Sequence, residues 1–101
     1  MSFGADLAKM QDGHIRLAVL QLLVGAAGYQ ANDSVIAQAL AALGLPCSRD
    51  QLRGHLAWLE EVRLVMLIAS GTLTVAELTE RGNDVAAGRS AIAGVQRPGP
   101  K

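Results

Sequence analysis

The spacing of hydrophobic residues along the chain follows a helical period first and an alternating one later. Between residues 7 and 25, Ile15, Ala18, Val19, Leu22 and Leu23 recur at the i, i+3, i+4, i+7, i+8 spacing of one helix face. Leu17, Leu20 and Val24 make a second stripe on the other side of the same helix. A helix that is apolar on two sides is either central in its fold or shared with a second chain. Ala26-Ala27-Gly28 breaks the pattern, and Tyr29-Gln30-Ala31 leaves room for a single extended pairing.

Asn32, Asp33 and Ser34 are each competent N-caps and open a second helix that runs to Leu43, with Val35, Ile36, Ala39, Leu40 and Leu43 as its buried stripe. Gly44 stands where a left-handed residue ends a helix, and Pro46 prevents continuation. Ser48 and Gln51 have the spacing of a capping box, so a third helix is predicted over residues 49–62. At 100° per residue Leu52, Leu56 and Leu59 fall together, with His55 and Val62 at one margin and Trp58 at the edge of the buried arc. Arg49, Asp50, Arg53, Gly54, Ala57 and Glu61 lie opposite.

After Arg63 the period becomes two. Residues 64–69 and 72–76 predict an antiparallel hairpin turning at Ser70-Gly71, because β-branched residues crowd both arms. Thr79 caps a short fourth helix over residues 80–87, and Gly88 ends it. Gly94, Pro98, Gly99 and Pro100 then predict a flexible tail over residues 91–101, behind one folded domain over residues 1–90.

Two helices joined by Gly44-Leu45-Pro46-Cys47 and followed at once by a hairpin predict a mainly α fold with a small β wing, a winged helix-turn-helix. The Leu-x-x-x-Leu-x-x-Leu of the third helix with Leu64-Val65, and the run Leu78-Thr79-Glu80-Arg81-Gly82, resemble winged-helix bacterial regulators of the MarR and ArsR types. Across its length, including residues 84–89 and 94–98, the chain resembles a family of small proteins of Mu-like phages and prophages. The winged-helix resemblance implies a DNA-binding regulator whose third helix enters the major groove. The paired cysteines of ArsR-type metal sensors are missing, so metal sensing does not carry over.

Composition narrows the function further. Cys47 is the one cysteine, which excludes a disulfide scaffold, and two histidines with one thiol make a four-ligand metal site improbable. His14 and His55 have no nucleophile and orienting acid placed with them, and no glycine-rich phosphate loop is present, so neither an enzyme nor a cofactor is expected. Cys47 reads as a small apolar filler before the third helix rather than a redox sensor. The longest apolar run, residues 17–27, is interrupted by Gln21 and is about half the ~20 residues of a membrane span. With no export signal at the N-terminus, a cytoplasmic protein is expected.

Net charge is zero, but its distribution is uneven. Residues 89–101 carry Arg89, Arg97 and Lys101 with no acid, and are the one basic segment. The candidate DNA contacts are Ser48, Arg49, Asp50, Arg53, Gly54, Ala57, Arg63 and Arg97. Arginine suits guanine O6 and N7, and the small Gly54 and Ala57 permit close approach. The uncharged wing tip and scarce cations make binding by one subunit weak. A homodimer through Leu17, Leu20, Val24 and the C-terminal helix is the expected remedy. The competing readings are a protein-interaction adaptor, in which the third helix touches no DNA, and a phage DNA-packaging component without operator recognition.

Overall fold

The computed structural model describes residues 3–99. In chain order its elements are α1 (Phe3–Val24), a 3₁₀ turn (Ala27–Tyr29), β1 (Gln30–Asn32), α2 (Asp33–Ala42), α3 (Arg49–Glu61), β2 (Val65–Ser70), β3 (Leu73–Leu78) and α4 (Glu80–Ala87). α1 starts earlier than its periodicity predicts, helped by an acidic residue, Asp6, in its first turn, and residues 3–11 are all exposed. The two central helices start and stop on local chemistry. Asn32 Oδ1 accepts from Val35 N at 2.9 Å, and the Ser48–Gln51 capping box is complete in both directions. Behind α2, Gly44 has φ 76° and Leu45 N donates to Leu40 O at 2.8 Å, which closes the helix as predicted.

The strands form a three-stranded antiparallel sheet in the order β1-β3-β2. The short piece after α1 supplies the single pairing predicted for it, with Ala31 opposite Ala76 on β3. The hairpin turns one residue later than predicted, with Ser70 paired to Leu73 around Gly71 at φ 63°. β2 is an edge strand, and its Leu67 N donates to Glu60 Oε2 at 2.9 Å. A carboxylate on an outward-facing amide blunts that edge against pairing with another chain.

One core joins the helices to the sheet. Leu20, Leu23, Leu40, Leu52, Leu59, Leu64 and Ala76 are fully buried at its centre. The second stripe of α1 does not await a partner chain. Leu17 and Leu20 are buried within this one chain, and α4, with Val85 and Ala86 buried, packs on α1. Of the homodimer surface predicted through Leu17, Leu20, Val24 and the C-terminal helix, Leu17 and Leu20 are therefore interior, while Val24 and, on α4, Glu80, Arg81 and Ala87 stay exposed. α4 covers more than its short, alanine-rich sequence suggests because Gly82 lets it sit directly on the Leu64 backbone and the Leu78 side chain.

The predicted free tail is also corrected for the part described. Val95 is buried, Ile92 is half-buried, and Gln96 N donates to Gly13 O of α1 at 3.1 Å. Residues 92–98 thus form a strap across α1. Gly13 admits it, since a Cβ there would lie 3.3 Å from Gln96 N, and Pro98 rests on Gly88. Lys101 lies outside the described residues.

Candidate nucleic-acid interface

The outer face of α3 is open, as its amphipathic pattern requires. Ser48, Arg49, Asp50, Arg53, Gly54 and Ala57 are all exposed, and nothing approaches the position of a Gly54 side chain. Arg49 and Arg53 are one helical turn apart, about 6 Å along the axis. Neither arginine is free. Arg49 Nη2 lies 3.5 Å, and Arg53 Nε 3.7 Å, from the same oxygen, Asp33 Oδ2.

Asp33 is the residue that sequence reasoning missed. It opens α2 and was one of three adjacent candidate caps; Asn32 does the capping, and the Asp33 side chain turns inward to complete burial. A carboxylate in the first turn of a helix is favoured by the helix dipole, and a buried one needs cationic partners as well. Its other oxygen, Oδ1, has no hydrogen-bond partner among the described residues. The signal that points to it is the surplus of caps, because only one of Asn32, Asp33 and Ser34 can occupy the cap position. The consequence for α3 is orientation: one buried carboxylate gathers two half-exposed guanidinium groups and leaves most of their N–H donors facing out.

The other predicted cations are not brought to this cluster. Arg63 is exposed just beyond the far end of α3, about 20 Å along its axis from Arg49. It adopts φ 66°, the left-handed C-terminal position where glycine is usual, and its carbonyl accepts from Thr79 Oγ1 at 2.8 Å. Arg97 is exposed on the strap. The hairpin tip, Gly71-Thr72, carries no charge.

On the α1 side of α3 a second arginine is used differently. Arg16 Nε donates to His55 Nδ1 at 3.2 Å, its Nη1 donates to Gly94 O at 3.0 Å, and its guanidinium lies 4.1 Å from the centre of the Trp58 ring. Burial chiefly, and then the Arg16 charge, push the His55 pKa down, against a smaller upward pull from Asp12. Cys47 and His55 share a hollow of ≈ 200 Å³ with Asp12 and Gln51, below the roughly 300 Å³ at which ligand pockets begin. Burial raises the Cys47 pKa, so its thiol stays protonated at neutral pH, in keeping with a filler. His14 is exposed on α1. Among the described residues no group of histidine, cysteine and carboxylate side chains could hold a metal ion, and no helix is long and apolar enough to cross a membrane.

Sequence comparison supplies the relatives. The chain is 42% identical to the uncharacterized protein gp26 of Escherichia phage Mu over 86 residues, covering 85% of this chain and 88% of that protein. The chain belongs to the family of phage Mu gp26. A second relative of the chain, an uncharacterized protein of Haemophilus influenzae, is 44% identical over 68 residues, 65% of each chain. No family model and no solved structure matches the chain.

Proposed function

We propose that this gp26 relative is a winged-helix protein that binds double-stranded DNA through the outer face of α3 and regulates phage or prophage transcription. In this reading α2 and α3 are the helix-turn-helix and the β2–β3 hairpin is the wing. The observation that carries the reading is the pair Arg49 and Arg53, gathered by Asp33 on an exposed helix face beside Gly54 and Ala57. Such a pair offers bidentate donors to base edges, and the small neighbours permit the helix to approach the groove. Zero net charge means that the phosphate contribution is small, so sequence-specific contacts must supply most of the affinity.

The test is titration of the full chain onto fragments of phage genomic DNA and onto scrambled duplexes at two salt concentrations. Preference for particular fragments supports the reading. Feeble, salt-sensitive binding without preference overturns it in favour of a protein-interaction adaptor. That second reading rests on the uncharged hairpin tip and on Met66 and Ile68, which are 54% and 44% exposed on one side of the edge strand β2.

A further inference from the structure

The strap over residues 92–98 is held at its middle by one side chain. Arg16 reaches it through Gly94 O at 3.0 Å, and the same guanidinium donates from Nε to His55 Nδ1 at 3.2 Å. That second bond needs a lone pair on Nδ1, so the imidazole is neutral and its proton sits on Nε2. We propose that Arg16, His55 and Gly94 form a pH-sensitive latch, which holds the strap against α1 and α3 and opens when His55 takes up a second proton.

A doubly protonated ring has no acceptor on Nδ1. Two cations would then face each other across 3.2 Å, and Arg16 must swing away, giving up Gly94 and the Trp58 ring with it. The groups facing His55 are few. α1 contributes Arg16 and Asp12, whose Oδ1 is 3.6 Å from Nε2; the turn before α3 contributes the neutral Cys47 thiol; α3 contributes the uncharged Gln51; the strap reaches Arg16 only through a backbone carbonyl. Asp12 alone favours the charged ring, and it is half-exposed and beyond hydrogen-bond distance. Burial of the ring and the Arg16 charge outweigh it, so the latch is closed at neutral pH and opens below the ordinary histidine range. What remains to hold the strap, the Val95 and Ile92 side chains, the Pro98 contact with Gly88 and the Gln96 to Gly13 bond, is small beside the core that holds the helices.

Trp58 is the one tryptophan of the chain, and Gly94 packs against the edge of its ring, so its emission reports the strap directly. The experiment follows Trp58 fluorescence, far-UV circular dichroism and the amide-exchange protection factor of Gln96 from pH 8 to pH 5, on wild type and His55→Asn. Asparagine keeps an acceptor near the Nδ1 position and does not titrate. The expected result is a red shift with a midpoint below 6.5 and a several-fold loss of Gln96 protection, with helical signal unchanged, and neither change in His55→Asn. Arg16→Gln should show the open emission at every pH. Should His55→Asn fail to fold, Asp12→Asn serves instead, and its midpoint should move to lower pH. The latch is refuted if wild type shows no transition, if the transition survives without the histidine or ignores Asp12→Asn, or if it coincides with loss of helical signal.

Discussion

The two arginine sites flanking α3 make opposite use of the same side chain. Arg16 commits two donors to neutral acceptors, His55 Nδ1 and Gly94 O, and stacks on Trp58, so it ties elements of the fold together. Arg49 and Arg53 share one buried carboxylate oxygen and keep about half of each side chain in solvent, at 47% and 51% exposure. A guanidinium has five N–H donors in a planar fork, so the number already committed decides whether it is structural or available. Charge counted along the sequence cannot make that distinction, since all three arginines count equally. The buried acid also changes what the exposed pair costs to remove, because its burial was affordable only with cations beside it.

The sharpest test of this contrast removes both outer arginines. Arg49→Ala with Arg53→Ala strands the Asp33 carboxylate in the interior, and the double variant should lose about 3 kcal/mol, well beyond the sum of the single changes. Additive, small losses in urea unfolding would show that the N-terminus of α2 satisfies Asp33 unaided. On the inner side, deleting residues 91–101 exposes the Val95 contact surface and releases Arg16. That should remove about 2 kcal/mol and lower Tm on the order of 10 °C. An unchanged melt would return the strap to the free tail that its glycines and prolines suggest.

A smaller effect comes from pH. His55 binds its proton less readily in the folded chain, so the unfolded chain takes up more protons as pH falls below 6.5. The His55 contribution to stability is therefore complete above 6.5 and is lost as pH falls through the depressed folded value. Denaturant midpoints at pH 7.5 and pH 5.5 check the direction, and His55→Asn should flatten the difference. The smallest effect on folding is that of Arg53→Ala alone, within about half a kcal/mol, since Arg49 remains on Asp33. On DNA the same change should cost about 1–3 kcal/mol at a preferred site, whereas Arg97→Ala should weaken all sequences alike. Equal behaviour of the two variants would remove α3 from the proposed interface.

Most of the element boundaries were legible because they are set by neighbours in the chain. A capping box at Ser48, a left-handed glycine at Gly44 and another at Gly88 act through backbone groups three to five residues away, and each stands where its sequence predicts. The open face of α3 was legible for the same reason, as periodicity places Leu52, Leu56 and Leu59 inward and Arg49, Arg53 and Gly54 outward. The inward turn of Asp33, the engagement of Arg16 and the docking of Val95 were not. Each joins segments far apart in the chain: 16 residues for Asp33 and Arg49, and 78 for Arg16 and Gly94. A segment rich in glycine and proline has the same composition whether it is free or laid on a helix. Only the surface that the rest of the fold presents decides between them.

The sequence by itself determined the order of helices and strands and the buried and open faces of α3, because hydrophobic period and capping act over a turn or two, whereas Val35 and Leu43 of the stripe predicted for α2 are exposed. The tertiary structure decided which cations are spent and which remain available, whether the second stripe of α1 needs a partner, and where the strap lies. Those outcomes depend on which distant groups come within a few ångströms once the core has closed, and no local pattern encodes that distance.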